Sequence, residues 1–270
     1  METIYLVLAF IFGTLIGSFL NVIALRLNSG VSFARGRSRC MSCGRELSWK
    51  ELMPIASYIW QKGKCRQCHS RISIQYPLVE FLTAVLFVLL FLYFPVTNAA
   101  TVIHLLIYAV TTSILIVICA YDIRHKIIPD ACVYTFDGLA LISLFIGGSA
   151  SISMIHGASL SAILAGPILA APFALIWLFS GGTLMGLGDA KLVLGIGWLL
   201  GIDAGVNAIV LSFWVAAAVS LIWLFYKYRR FKPRTEIPFG PYLILGMYLA
   251  LFTNLRVIDV HTLVALIRQL

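Results

Sequence analysis

The chain has 270 residues, 61% hydrophobic and only 11% charged, a balance that excludes a water-soluble globular domain and reads as a polytopic membrane protein. The formal net charge of +9 would suit a nucleic-acid binder, but 18 of the 20 Lys and Arg fall in alternate connections between apolar runs. That placement excludes nucleic acid as a partner and describes a membrane topology instead.

Runs long enough to cross the roughly 30 Å hydrocarbon core cover residues 4–25, 77–94, 102–121, 132–147, 159–179, 191–202, 205–226 and 239–252. The expected fold is therefore all-α and polytopic, with about eight transmembrane helices, the fourth and sixth short. One soluble insertion, residues 27–76, interrupts them. The boundaries divide the chain into a first transmembrane helix (1–26), this insertion, a seven-helix membrane domain (77–254) and a tail (255–270).

Lys and Arg gather at 26–71, 124–126, 191 and 227–234, whereas connections 95–101, 148–158 and 203–204 carry none. By the positive-inside rule the basic connections are cytoplasmic, and the amino terminus and the tail from Asn254 lie outside. No basic residue precedes the first span and Arg26 follows it, the reverse of a cleavable signal, so the span is expected to be retained.

Within that span Gly13 and Gly17, four residues apart, suit close helix packing. Asn21 lies one turn from the basic end, free either to bond a neighbouring helix or to serve a site. The insertion then carries Cys40-Met41-Ser42-Cys43 and, 21 residues later, Cys65-Arg66-Gln67-Cys68. Two such knuckles are the pattern of a tetrathiolate zinc site; the rival reading is two disulfides or a redox pair, and a reducing cytoplasmic face disfavours structural disulfides. The segment is too short to bury a core, so zinc held by Cys40, Cys43, Cys65 and Cys68 is expected to fold it, with His69 a bystander. Cys119 and Cys132 read as core residues.

Pro77 opens the second span, and Glu80 one turn inside either pairs with the basic insertion or lines a cavity. His104 and Asp137 are buried polar residues to which nothing nearby assigns chemistry. Asp122 closes the third span. Residues 124–129 should form a turn before Pro129, with Asp130 capping the fourth span.

Gly186-Leu187-Gly188-Asp189 reads as a glycine-rich turn whose glycines adopt backbone shapes closed to other residues. Lys191 is expected to snorkel to headgroups rather than pair with Asp189. The loop 227–236 reads as a basic lipid-facing edge, and residues 257–270 as an interfacial helix.

Asp122 and Asp189 thus stand 67 residues apart at two connections on one predicted face. Peptide hydrolysis by a carboxylate pair needs one ionised member to activate water and one protonated member to polarise the carbonyl. Two carboxylates that share a site supply both states at once, and they titrate jointly. Neither G-x-S-x-G nor H-E-x-x-H occurs.

Gly186-Leu187-Gly188-Asp189 with Lys191-Leu192, the stretch Asp122 to Ile128-Pro129-Asp130, Gly17-Ser18-Phe19-Leu20-Asn21-Val22, the paired knuckles and Tyr76-Pro77-Leu78-Val79-Glu80 together resemble the type IV prepilin peptidases. These are G-x-G-D membrane aspartic proteases, distantly similar to presenilin and preflagellin peptidases, and the likeness runs through most of the chain in the family's order. The resemblance implies cleavage of the leader of type IV prepilins or type II secretion pseudopilins at the cytoplasmic face of a bacterial inner membrane. In many members it also implies N-methylation of the new amino terminus from S-adenosylmethionine. Asp122 and Asp189 fall on the family's catalytic aspartates and the four cysteines on its zinc positions. Arg39 departs from the pattern, since many members carry proline around the first knuckle.

No glycine-rich nucleotide fold is visible. The polar mass able to hold the methyl donor is the insertion with its flanks, including Asn21, Arg26 and Glu80. Two other classes remain: a proton-coupled transporter using the two aspartates as a relay, which needs no zinc module, and a zinc-stabilised assembly component of a pilus or secretion machine, which needs neither carboxylate.

Overall fold

The computed structural model describes residues 2–30, 32, 36–146, 159–226, 238–253, 255 and 257–258. Its elements in chain order are α1 (Glu2–Arg26), a 3-10 turn (Trp49–Glu51), α2 (Ala56–Trp60), α3 (Gln75–Tyr93), α4 (Ala99–His125), α5 (Asp130–Phe145), α6 (Leu160–Ser180), α7 (Leu187–Tyr226) and α8 (Gly240–Thr253). The chain is an all-helical polytopic membrane protein. Five described helices, α1, α3, α4, α6 and α7, are long and apolar enough to cross a bilayer, while α5 and α8 are apolar and shorter at 16 and 14 residues.

The 40 residues of α7 would extend roughly 60 Å as one rod, twice the hydrocarbon thickness. The chain avoids this by folding back at Gly201, whose φ of 75° and ψ of −178° interrupt the helix. A Cβ on Gly205 would lie 3.8 Å from the Gly197 Cα. Residues eight apart in a continuous helix are about 12 Å apart, so the two arms run back beside one another. The expected connection at Asp203 and Ala204 is corrected here: both are helical, and one glycine makes the reversal.

Close packing at small residues locks the helices together. A Cβ on Gly13 or Gly17 of α1 would come within 2.6 Å of the Ala84 Cα or 2.7 Å of the Glu80 Cα in α3. Gly166 of α6 and Gly197 of α7 meet in the same manner, the Cβ of a residue at 197 falling 2.7 Å from the Gly166 Cα. One core, which includes Leu115, Phe136, Leu192, Ile196, Leu243 and Met247, joins α4, α5, α7 and α8. A second, built on Leu20, Ala24, Val79, Ile116, Val117 and Ala120, joins α1, α3 and α4. Two buried hydroxyls bond between helices: Tyr248 donates to Thr112 Oγ1 at 2.7 Å and Tyr108 to the Leu199 carbonyl at 3.2 Å.

Asn207 fastens the chain beyond α8, accepting from the Val257 and Ile258 N–H groups and donating to the Ile258 carbonyl. The expected external connection 148–158, the basic loop 227–236 and the interfacial helix beyond residue 258 lie outside the described residues.

Candidate active site

Four chain segments meet at the end of the bundle that carries the cysteine insertion. Asp122 is in the last turn of α4, only 4% exposed, and Asp189 is in the first turn of α7. The two carboxylates lie within electrostatic reach of each other. Gly240, the first residue of α8, stands against the Asp122 carboxylate, and Gly186 stands against that of Asp189. A Cβ on Gly240 would stand 2.7 Å from Asp122 Oδ2, so only glycine lets the start of α8 come this near.

The turn between α4 and α5 supplies the wedge. The α4 helix runs to His125 and ends on Lys126 in the left-handed conformation (φ 56°), so the turn covers 126–129 rather than 124–129. From it Ile128 reaches both Gly188 and Gly240, at 2.9 Å and 3.4 Å from the positions their Cβ atoms would take. This corrects two expectations. Asp189 is in a helix and not on a turn, and neither Gly186 nor Gly188 has a positive φ. Gly188 is needed for space against Ile128, not for backbone freedom.

Asp130 and Lys191 are corrected as well. Pro129 holds the N-cap position of α5, and Asp130, its first helical residue, directs its carboxylate to Lys191 Nζ at 2.6 Å. That ammonium also lies over the Tyr134 ring, 4.7 Å from its centroid. Lys191 therefore neither snorkels nor pairs with Asp189; it ties the start of α7 to the start of α5.

The four cysteines converge. Their Sγ atoms all lie within 4.8 Å of one another, with Cys40 and Cys68 at 3.8 Å, and all four are unbridged. The edge of a tetrahedron with Zn–S bonds of about 2.3 Å is about 3.8 Å, so the cluster has the size of a tetrathiolate metal site. Each knuckle closes by the same pair of bonds: Cys40 N–H to the Arg45 carbonyl and Gly44 N–H back to Cys40, then Cys65 N–H to Ser70 and His69 N–H back to Cys65. Gly44 and His69 occupy equivalent left-handed positions, with φ of 72° and 55°. The Cys43 and Ser42 backbone N–H groups pull the Cys40 thiol down to about 6 and the Ser70 hydroxyl and N–H lower Cys68, whereas Cys43, against the pull of the Arg45 N–H, is pushed up to about 11 by burial and by its neighbours Cys40 and Cys68. Beneath the knuckles Glu51 is held below the ordinary carboxylate range: burial opposes this, but the Ser48 N–H and the Arg45 guanidinium together outweigh it.

Asn21, Arg26 and Glu80 are drawn to the seam between α1, α3 and the insertion. Glu80 does pair with the insertion, though through the insertion's backbone and not through a basic side chain. Its Oε2 accepts the Ile55 backbone N–H at 2.7 Å, with the Ser18 side chain nearby. Arg26 donates to the Ser32 and Arg37 carbonyls. Asn21 Nδ2 donates to the Gly17 and Tyr76 carbonyls, while its Oδ1 is buried with no hydrogen-bond partner among the described residues. His104 bonds the Ala100 carbonyl within its own helix, and both oxygens of Asp137 are buried without a hydrogen-bond partner among the described residues.

Two residues at the aspartate pair escape sequence reasoning, Gly240 and Ile128. Both sit beside prolines that explain them locally as turn residues, and the only further signal was the recurrence of glycine at helix starts 186–188 and 240.

Comparison with known proteins follows this division of the chain. Residues 11–94 match the Bacterial Peptidase A24 N-terminal domain, and residues 109–222 match the Type IV leader peptidase family. The chain is 32% identical over 259 residues to the prepilin leader peptidase/N-methyltransferase of Bacillus subtilis, covering 95% of this chain and 98% of that protein. To the proteins of the same name from Aeromonas hydrophila and Pseudomonas aeruginosa it is 30% and 32% identical, covering 92% and 88% of this chain and 90% and 87% of theirs. No solved structure gives a significant match. With the relatives matched nearly end to end and the paired family domains in order, the chain belongs to the type IV leader peptidase family.

Proposed function

We propose that this protein is a membrane aspartic endopeptidase that removes the leader of type IV prepilins or pseudopilins and then N-methylates the new amino terminus. The observation that carries the reading is the meeting of Asp122 and Asp189, from segments 67 residues apart, at the ends of α4 and α7. One carboxylate, ionised, takes a proton from water while the other, protonated, polarises the scissile carbonyl; the pair exchanges these states over a cycle. Gly240 and Gly186 lie close against the two carboxyls and confine them. We place the reaction at the cytoplasmic face of a bacterial inner membrane, because Arg26, Arg124, Lys126 and Lys191 lie at this end of the bundle.

We assign zinc to Cys40, Cys43, Cys65 and Cys68 as a structural metal that orders the insertion; it takes no part in hydrolysis. The division of the chain into a first helix (1–26), a zinc module (27–76), a membrane peptidase domain (77–254) and a tail (255–270) follows from this assignment. The methyl donor, S-adenosylmethionine, supplies the methyl group. Of the three candidates for its site, Asn21 fits best, since its orphan Oδ1 is an unused buried acceptor, whereas Arg26 and Glu80 bond the backbone of the module.

The test is incubation of purified protein with a prepilin and measurement of the mature amino-terminal mass. Asp122→Asn and Asp189→Asn should each abolish cleavage while the protein inserts and accumulates, because an amide cannot cycle a proton. Asp189→Asn should still methylate a pilin supplied already cleaved. Robust cleavage by either variant would overturn the mechanism.

A further inference from the structure

The surface of the cysteine module is unexpectedly apolar along one short segment. Within residues 49–60, Trp49 and Trp60 are 71% and 68% exposed, and Leu52, Met53 and Ile59 are exposed with them. The 3-10 turn Trp49–Glu51 packs on α2, and the Ser57 N–H bonds the Met53 carbonyl at 3.0 Å, so these side chains belong to one compact piece of backbone. Such a patch on a segment facing water would be an aggregation liability.

Its depth gives the reason. Ile55, in the middle of the segment, is bonded to Glu80, which sits five residues inside α3. At about 1.5 Å per residue that is roughly 7 Å below the helix start, at or below the boundary between headgroups and acyl chains, since the 19 residues of α3 about match the hydrocarbon thickness. Charge agrees with this level. The only carboxylates of residues 27–76, Glu46 and Glu51, are paired with Arg37, Arg39 and Arg45. Lys50 lies over the Trp49 ring at 5.5 Å, and Lys62 follows Trp60 by two residues, so both edges of the apolar patch carry a cation.

We propose that residues 49–60 are an amphipathic foot that seats the cysteine module in the anionic leaflet of the membrane crossed by α1 and α3. Trp49, Leu52, Met53, Ile59 and Trp60 enter the boundary between acyl chains and headgroups, and Lys50 and Lys62 meet lipid phosphates. The foot and the Glu80 to Ile55 bond together fix the module's height above the aspartate pair.

The experiment uses full-length, zinc-loaded protein in nanodiscs of phosphatidylethanolamine and phosphatidylglycerol. The chain has six tryptophans, so emission from Trp49 and Trp60 is isolated by subtracting a Trp49→Phe/Trp60→Phe variant of equal zinc content. Brominated acyl chains should quench the difference emission strongly, and aqueous acrylamide should quench it weakly. Acrylamide accessibility should rise roughly twofold or more when phosphatidylglycerol is replaced by phosphatidylcholine, and should rise likewise in Lys50→Gln/Lys62→Gln. Full acrylamide access with no bromolipid quenching would overturn the proposal. So would protection that appears only when a prepilin peptide is added, which would make the patch a substrate-docking surface. Insensitivity to anionic lipid would remove the phosphate contacts.

Discussion

At the scale of single residues, the distances around the aspartate pair rank three glycines. A methyl group on Gly240 would press on Asp122 Oδ2 at 2.7 Å and one on Gly188 on the Ile128 Cβ at 2.9 Å, whereas one on Gly186 would meet nothing nearer than Asp189 Oδ2 at 3.7 Å. Gly240→Ala should therefore displace a carboxylate and lower kcat for prepilin cleavage by roughly 100-fold, the scale of a misplacement of about 1 Å. Gly188→Ala should fall between, and Gly186→Ala should stay near wild type. Wild-type kcat in Gly240→Ala would show that the close approach of α8 has no bearing on the chemistry.

The Lys191–Asp130 pair yields a second residue-scale expectation. Asp130 is largely exposed, so the pair is worth at most about 1 kcal/mol to folding. Its use is to fix the start of α7 against α5. Lys191→Gln and Asp130→Asn should each reduce cleavage a few-fold, and the double variant should be no worse than either single one, since both remove the same link. Additive losses would mean that the two residues act separately.

At the scale of elements, the proposed zinc and the Arg45–Glu51 ion pair would together hold the module of residues 27–76. Freshly purified protein should contain about one zinc per chain, and Cys40→Ser or Cys65→Ser should lose metal and expose the module to protease. Metal analysis without zinc would return the cysteines to redox chemistry. Glu51 adds a pH signature whose sign follows from its depressed pKa. The charged form is the one stabilised by Arg45 and Ser48, so the contribution is complete above the ordinary Glu value of about 4.3 and is lost as pH falls through the lower folded value. Wild type should exceed Glu51→Gln in resistance to unfolding by a constant margin at neutral pH, and that margin should shrink below about pH 4. Because both proteins keep the same thiolates, their difference cancels acid release of zinc.

At the scale of the whole molecule, the bundle has one working end. The cysteine module, the last turn of α4 and the starts of α5, α7 and α8 gather there, and Asn28 at the end of α1 bonds the Tyr121 hydroxyl next to Asp122. The Gly201 reversal and the 94–98 connection belong to the other end. If the charge distribution sets orientation, a membrane-impermeant maleimide applied to spheroplasts should modify Thr97→Cys at once and Thr183→Cys only after permeabilisation. The native zinc cysteines, on the inner side, should stay unlabelled in intact cells. The opposite pattern would place the aspartate pair outside and end the case for leader cleavage in the cytoplasm.

The sequence alone determined the membrane class and the helix order, and it singled out the cysteine tetrad and, as candidates, Asp122 and Asp189. Each of these is written locally: hydrophobic run length sets spans, C-x-x-C spacing sets a metal site, and a carboxylate at the edge of an apolar run is conspicuous because burying it is costly. What the tertiary structure decided was every relation between segments distant in the chain. Gly240 could not be tied to Asp122 across 118 residues, nor Lys191 to Asp130 across 61. The glycines of 186–188 were misread because clearance against Ile128 is set by packing and leaves no mark on a backbone preference. The Gly201 reversal was displaced by two residues because apolar residues fill both arms, so hydropathy shows that the chain must turn and only the glycine's own φ and ψ fix where.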